Sequence, residues 1–279
     1  MSSSYSKTVS TARDYYNSSD ADKFYFNFWG GEDIHIGFYE TPDDSISQAS
    51  RKTVKRMAAK CENLNENSRV LDLGAGFGGA ARYLAKTYGC HVTALNLSEV
   101  ENERDRQMNK EQGLDHLIDV VDGAFESLPF EDGSFDVIWS QDAILHSDQR
   151  DAVIKEAARV LKPGGEMVFT DPMQSDDCPE NVLQPIYDRI HLESLGSPSK
   201  YKKMAKDAGL EVEEFDELTD HLPHHYHSVL KKIENSDRPK KLGISDEYIK
   251  NMKKGLQHWV DGGKQGYLSW GIFHLKATA

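Results

Sequence analysis

The alternation of apolar and polar positions is most regular in the middle of the chain. Between residues 67 and 172, short apolar runs alternate with segments whose apolar residues recur every three or four positions. Such a pattern predicts strands alternating with amphipathic helices, and therefore an α/β fold with a mostly parallel, doubly wound sheet. The predicted elements are strands at 69–73, 91–95, 118–121, 135–140 and 166–170, and helices at 79–88, 99–112 and 148–161.

The two flanking segments have other patterns. Residues 1–66 predict a helical segment, with the clearest helical spacing at 45–61. After residue 172, a helix, a strand, further helices and an aromatic apolar run predict a cap insertion followed by a closing strand that enters the sheet antiparallel. We therefore divide the chain into a helical N-terminal lid (1–66), a core (67–172), and a cap with the closing strands of the sheet (173–279). The elements predicted after the core are helices at 180–195, 199–208, 223–235 and 245–262, and strands at 210–215 and 266–277.

A glycine-rich turn, VLDLGAGFGG at 70–79, follows the first predicted strand. Glycines at the end of a strand let backbone N–H groups approach a ligand that a Cβ would keep away. Ligands of doubly wound sheets bind at the carboxyl ends of the strands, so we expect a nucleotide-like cofactor at this turn. Because Gly74, Gly76 and Gly79 also satisfy the dinucleotide spacing, the turn by itself leaves NAD open.

Composition restricts the class of protein. The 279 residues include 38% hydrophobic and 28% charged residues, ordinary values for a soluble globular protein. The net charge of −13 argues against general binding to nucleic acid or to anionic membranes. We expect a cytoplasmic protein, because no segment resembles a secretory signal or a membrane span and the cysteines Cys61, Cys90 and Cys178 are widely separated.

Several consecutive segments resemble the class I S-adenosylmethionine-dependent methyltransferases. They are the glycine turn, FESLPF at 125–130, GSFDVI at 133–138 and RVLKPGG at 159–165. The resemblance implies a Rossmann-like seven-stranded sheet and S-adenosyl-L-methionine as the cofactor. A dinucleotide-dependent oxidoreductase is the alternative from another enzyme class, and an inactive cofactor-binding regulator is the other alternative. No group of side chains has convincing metal-ligand spacing, so we expect no metal.

The resemblance also implies roles for individual residues. Asp72 would order the glycine turn or meet the cofactor's ammonium group, and Phe125 would stack on the adenine. Asn96 replaces an acid that binds the ribose hydroxyls in most relatives, and Ala124 replaces an acid that binds the adenine amino group. Asp122 and Glu126 are the nearest spare acceptors. The expected cofactor-binding residues are Asp72, Gly74, Ala75, Gly76, Asn96, Leu97, Ala124, Phe125 and Gln141.

The flanking segments point to the methyl acceptor. Aromatic residues crowd positions 15–39, as in the lid of methyltransferases that act on small amines, and aromatic faces bind cations well. The segment SQDAILH at 140–146 resembles one in phosphoethanolamine methyltransferases. That resemblance implies that His146 pairs with Tyr25 of the lid. His146 would then act as a base of near-neutral pKa or as an orienting residue.

The cap favours an amino-acid substrate. Segments 185–198, 222–226 and 268–273 resemble the cap of sarcosine and dimethylglycine N-methyltransferases, which implies methylation of these amines to glycine betaine. Arg189 would bind the carboxylate through its forked guanidinium, with Trp29, Asp142 and Trp270 as further substrate residues. A phosphoethanolamine or other small-amine methyltransferase is the alternative, with lysines between 231 and 254 for the phosphate. We expect a small amine as the only partner, and a monomer or homodimer.

Overall fold

A seven-stranded sheet forms the centre of the computed structural model, which describes residues 6–234 and 236–278. The start of the predicted N-terminal helical segment and the end of the predicted helix at 223–235 lie outside the described residues. Across the sheet the strands follow the order β3 (Ile118–Asp122), β2 (His91–Asn96), β1 (Arg69–Leu73), β4 (Phe135–Gln141), β5 (Leu161–Thr170), β9 (Gly271–Ala277) and β7 (Leu210–Glu217).

The strand directions confirm the predicted fold class. Strands β1 to β5 pair in parallel, whereas β9 is antiparallel to both β5 and β7. A separate two-stranded ribbon joins β6 (Met173–Gln174) to β8 (Leu268–Ser269). The helices are α1 (Lys7–Tyr16), α2 (Ser19–Phe24), α3 (Ile46–Ala58), α4 (Gly79–Tyr88), α5 (Glu99–Glu111), α6 (Arg150–Val160), α7 (Gln184–Ile190), α8 (Pro198–Asp207), α9 (His221–Glu234), α10 (Arg238–Lys241) and α11 (Asp246–Lys264).

Two hydrophobic clusters contain inward-facing residues of the sheet. In one, Val54 of α3 and Leu84 of α4 pack with Val70 and Trp139. In the other, residues of α6 and α8 pack with Leu71, Leu73 and Phe169. Neighbouring residues of β1 thus belong to different clusters, because successive side chains of a strand point to opposite faces.

A third cluster joins the N-terminal lid to the cap. Phe24 and Phe28, at α2 and the π-helical turn Tyr25–Trp29, pack with residues of α7, α9 and α11. The lid and the cap therefore share one apolar core. Within the described residues, no helix is both long and apolar enough to cross a membrane.

Three predicted elements differ from the structure. The strand predicted at 166–170 begins earlier, at Leu161, directly after α6 ends at Val160. The helix predicted at 180–195 is limited to α7, because His191 adopts a left-handed conformation (φ 56°) that ends it. The strand predicted at 266–277 is divided between β8 and β9. Trp270 separates them, and its carbonyl accepts a hydrogen bond from the Leu218 N–H at 2.9 Å.

Candidate active site

The glycine turn is fixed against the neighbouring strand. The N–H groups of Gly74 and Ala75 both donate to the Leu95 carbonyl, at 2.8 and 3.1 Å. Gly74 has a positive φ of 76°, and a Cβ on it would overlap the Ala143 side chain. The turn therefore requires glycine at this position, both for its backbone conformation and for the close approach of the loop that follows β4.

This turn borders three adjoining cavities, which we call the cofactor cleft. All three contain Gly74, and they run from Asp72 and Ala75, past Asn96 and Leu97, to Ala124 and Phe125. Each of the nine cofactor-binding residues predicted from the sequence lines at least one of these cavities. The structure thus brings the whole predicted set together along one cleft.

Unpaired polar atoms at one end of the cleft fit an amino-acid group. Oδ2 of Asp72 and Nε2 of Gln141 are buried, and neither has a hydrogen-bond partner among the described residues. Burial, and then the nearby Asp105 carboxylate, raises the pKa of Asp72 to about 8. Buried polar groups normally have partners, so an acceptor and a donor left open in the same cavity suit the ammonium and carboxylate of the methionyl part of S-adenosyl-L-methionine.

A carboxylate that the sequence analysis missed lies in the middle of the cleft. Glu101 is only 3% exposed, and its Oε2 accepts a hydrogen bond from Nδ2 of Asn96 at 3.0 Å. Its Oε1 has no partner among the described residues, and burial raises its pKa to about 7. Asn96 therefore holds the Glu101 carboxylate at the expected ribose-binding position, where we had predicted only the amide of Asn96. The signal for it was the capping pattern Ser98-x-x-Glu101 at the start of α5.

The far end of the cleft is lined by Ala124, Phe125 and Glu126. Of the two spare acceptors predicted there, Asp122 is occupied, because it accepts from Asn102 and forms an ion pair with Arg106 at 2.9 Å. Glu126 accepts from the Ser147 hydroxyl through Oε1, and its buried Oε2 has no partner among the described residues. Glu126 is thus the side-chain acceptor available for an adenine amino group.

A second site, the acceptor cavity, lies between the lid and the cap. It meets the cofactor cleft at Asp142 and His146, which line both. The predicted residues Tyr25, Trp29 and Arg189 also line it. The other aromatic residues on its wall are Tyr15, Tyr16, Tyr226 and Trp259.

His146 pairs with a different tyrosine from the one we predicted. Its Nε2 lies 2.9 Å from the hydroxyl of Tyr16, whereas the Tyr25 hydroxyl lies 3.3 Å from that of Tyr15. Burial, reinforced by Arg150, lowers the pKa of His146 to about 4, so the expected near-neutral pKa is not found. Burial raises the pKa of Tyr16, so the tyrosine keeps its proton. Tyr16 therefore donates and the neutral imidazole of His146 accepts.

Asp142 is held rigidly at the junction of the two sites. Its Oδ2 accepts from the Ile36 N–H at 2.6 Å, and its Oδ1 accepts from Nε1 of Trp270 at 2.8 Å. Its φ of 51° is rare for a residue other than glycine, and such strained conformations concentrate at functional sites. Trp270, predicted to bind substrate, is fully buried behind Asp142 and is not among the residues that line the acceptor cavity.

Arg189 brings an uncompensated cation to the acceptor cavity. Its Nη2 lies 3.2 Å from Sδ of Met252, an uncharged atom. No carboxylate of the described residues lies within ion-pair distance of this guanidinium. The side-chain partners of Arg189 are thus Met252 and the Tyr15 hydroxyl, and no carboxylate among the described residues neutralises its charge.

Two further polar residues face the acceptor cavity. Nε1 of Trp29 and both ring nitrogens of His35 are buried without a hydrogen-bond partner among the described residues. His35 also lines the methionyl end of the cofactor cleft. His35 was not predicted from the sequence, because one histidine in a loop has no informative spacing.

Two lysines of the lysine-rich stretch form local ion pairs. Lys231 pairs with Glu234 at 3.2 Å, and Lys241 pairs with Asp237 at 2.8 Å. These two lysines, and Lys232, which donates to the Phe28 carbonyl at 3.3 Å, are thus engaged within the protein. Among the described residues there is also no group of three or more side chains that could hold a metal ion.

Comparison with known proteins agrees with this geometry. Residues 71–169 match a family model described as a methyltransferase domain. The chain is 57% identical over 270 residues to a sarcosine/dimethylglycine N-methyltransferase of Halorhodospira halochloris, with 97% of each chain covered. It is 49% identical over 267 residues to a dimethylglycine N-methyltransferase of Parasynechococcus marenigrum, covering 96% of this chain and 95% of that one. A crystal structure from Galdieria sulphuraria, assigned to the sarcosine dimethylglycine methyltransferases, has a TM-score of 0.89 and 42% identity, covering 95% of this chain and 99% of that one.

The sheet order, the glycine turn and the cofactor cleft define a class I methyltransferase that depends on S-adenosyl-L-methionine. Near full-length identity of 49–57% to the relatives places it more narrowly. The chain belongs to the family of sarcosine/dimethylglycine N-methyltransferases.

Proposed function

We propose that this enzyme methylates the nitrogen of sarcosine and of dimethylglycine, with glycine betaine as the final product. The observation that carries the proposal is the guanidinium of Arg189, which has no carboxylate partner among the described residues and borders an aromatic cavity. An N-methylated glycine has a carboxylate for Arg189 and a small cationic or methylated nitrogen for the aromatic walls.

The positions of Arg189 and Asp142 orient such an acceptor. We place its carboxylate at Arg189 and its nitrogen beside Asp142, where the acceptor cavity meets the cofactor cleft. The Asp142 carboxylate is held by two donors and compensates the positive charge of the methylated nitrogen. The rings of Tyr15, Tyr25 and Trp29 face that charge.

The residues of the cofactor cleft fit S-adenosyl-L-methionine in one direction. Asp72 and Gln141 would hold its amino-acid end, and Glu101 with Asn96 would hold the ribose hydroxyls. Phe125 would stack on the adenine, with Glu126 as acceptor. When bound, the cofactor supplies an electrophilic methyl group.

The pair of His146 and Tyr16 orients the site. A histidine with a pKa of about 4 is a weak proton acceptor at neutral pH, which supports an orienting role over that of a general base. The acceptor therefore has to release its ammonium proton to water before it reacts. Its lone pair then takes the methyl group, S-adenosylhomocysteine is left as the other product, and the rate enhancement comes mainly from positioning. Tyr25 contributes to the aromatic wall, with its hydroxyl beside that of Tyr15.

An assay of four acceptors tests the proposed function. Purified enzyme is supplied with S-adenosyl-L-methionine and with glycine, sarcosine, dimethylglycine or phosphoethanolamine, and the products are quantified by mass spectrometry. We expect turnover of sarcosine and dimethylglycine. Turnover of phosphoethanolamine alone would contradict the proposal, and cofactor binding without any turnover would indicate a regulator.

We also propose a cytoplasmic location, because Cys61, Cys90 and Cys178 are free thiols. Fractionation of cells that produce the enzyme tests the location. We expect the enzyme to be a monomer or a homodimer, and sedimentation of the purified enzyme distinguishes the two.

A further inference from the structure

Gly255 lies in the interior of helix α11, directly against Arg189. A Cβ added to Gly255 would overlap Nη1, Nε and Cδ of the Arg189 side chain. Glycine in a helix interior lowers stability relative to alanine. The guanidinium of Arg189 leaves no room for a side chain at this position, which explains why glycine is present in the middle of α11.

The guanidinium that Gly255 accommodates lies between two spaces. Arg189 lines the acceptor cavity and also an outer groove, whose other lining residues include Asp188, Asn251 and Lys254. Tyr15 and Met252 border both spaces as well. A small shift of the guanidinium would therefore move it toward one space or the other, and would change where a carboxylate is bound.

We propose that Gly255 is a positioning residue for substrate recognition. Because it lacks a side chain, the guanidinium of Arg189 can lie against α11 at the boundary of the acceptor cavity. This placement sets the distance between the bound carboxylate and the nitrogen that receives the methyl group. The inference rests on the carboxylate role proposed for Arg189, and it assigns the selectivity for carboxylate-bearing amines to two residues instead of one.

Gly255→Ala is the direct test. The Cβ meets the flexible end of a side chain, so it displaces the guanidinium and leaves the helix intact. We expect the KM for dimethylglycine to rise about tenfold or more, the loss typical of a weakened hydrogen bond to a charged group. The kcat, the affinity for S-adenosyl-L-methionine and the melting temperature should change little.

Two controls separate positioning from packing. Gly262→Ala is a matched change in the same helix, where the nearest atoms to an added Cβ are 3.3 Å away on Leu183 and Leu268, and it should retain the wild-type KM. N,N-dimethylethanolamine keeps the amine but lacks the carboxylate. Its inhibition constant should therefore be the same for the wild type and for Gly255→Ala.

A double-mutant cycle shows whether Gly255 acts through Arg189. Arg189→Ala removes the side chain that the new Cβ would meet, so Gly255→Ala should raise the KM no further in that background. The inference would be overturned if Gly255→Ala raised the KM for dimethylglycine equally in both backgrounds. It would also be overturned if Gly255→Ala weakened the binding of N,N-dimethylethanolamine as much as that of dimethylglycine. A wild-type KM for Gly255→Ala beside a raised KM for Arg189→Ala would overturn it while leaving the proposed function intact. A wild-type KM for Arg189→Ala would instead remove the proposed carboxylate role itself.

Discussion

The hydroxyl of Tyr16 lies 2.9 Å from Nε2 of His146, so the N-terminal lid is bonded directly to the segment that follows β4. Helix α1 has further attachments on both sides of this bond. Its Arg13 forms an ion pair with Glu99 at the start of α5, and its Thr8 hydroxyl donates to Asp148 at 2.9 Å. The lid therefore covers the cofactor cleft and the acceptor cavity together.

The bond to Tyr16 predicts different effects for two tyrosines of the lid. Tyr16→Phe leaves the buried His146 nitrogen without its donor, which typically costs about 1–3 kcal/mol, so kcat/KM for dimethylglycine should fall about tenfold. Tyr25→Phe removes the hydroxyl contacts with Tyr15 and Tyr16 but leaves the bond between Tyr16 and His146, so it should reduce kcat/KM about threefold or less. Steady-state kinetics of the two variants make the comparison. A larger loss for Tyr25→Phe would restore the pairing of Tyr25 with His146 that the sequence had predicted.

The raised pKa of Asp72 predicts that cofactor binding releases protons. With a pKa of about 8, the cofactor-free carboxyl is mostly protonated at pH 7. Pairing with the cofactor's ammonium favours the charged carboxylate and lowers this pKa, so a proton leaves on binding. Affinity should therefore increase between about pH 6 and pH 8.

Calorimetry with S-adenosylhomocysteine in buffers of different ionisation enthalpy measures this proton release. Asp72→Asn carries no titratable carboxyl, so it should release fewer protons than the wild type at pH 7. Equal release by the two proteins would show that Asp72 is not the group that pairs with the ammonium.

Glu101 should contribute more to cofactor affinity than its neighbours on α5. Glu101→Ala removes the open Oε1 and the partner of Asn96, and the loss of hydrogen bonds to a charged group should weaken binding about tenfold to a hundredfold. Glu103 provides the matched control, because its side chain is exposed and its ion pair with Arg106 is long, at 3.9 Å. Binding of S-adenosylhomocysteine to Glu103→Ala should equal that of the wild type. Unchanged affinity of Glu101→Ala would exclude the proposed ribose contact.

The sequence predicted the core of the fold well because its pattern is local. Strands β1 to β4 are short apolar runs within two residues of their predicted bounds, and the glycine turn follows β1 as expected. The division at Trp270 was not predictable in this way. It depends on the pairing of β8 with β6, and these two-residue strands lie almost a hundred positions apart in the chain.

The same distinction applies to the site. The predicted cofactor residues lie at strand ends: the rule for doubly wound sheets indicated this edge of the sheet, and the resemblance to class I methyltransferases indicated the individual residues. Glu101 was missed because its side chain reaches the cleft from a helix, and Tyr16 because the choice between neighbouring tyrosines depends on how α1 packs against a segment 130 positions away. The site residues that the sequence pattern did not predict are therefore those whose positions depend on long-range packing.

Trp270 provides the last prediction, because the structure changes its role from substrate contact to support of Asp142. Trp270→Phe keeps most of the buried ring but removes the 2.8 Å hydrogen bond to Oδ1 of Asp142. The net value of such a bond, about 1–2 kcal/mol, predicts a loss in kcat/KM for dimethylglycine of about fivefold to thirtyfold. Asp142→Asn removes the charge while keeping a side chain that tolerates a positive φ, and it should cause a larger loss.

The two substitutions together test whether Trp270 acts through Asp142. Asp142→Asn already removes the charge that Trp270 positions, so adding Trp270→Phe should reduce kcat/KM by less than it does in the wild type. Full additivity would mean that Trp270 contributes independently, as a direct substrate contact would. Thermal melting of each variant separates this result from a general loss of packing, since Trp270 belongs to the cluster that joins the lid to the cap.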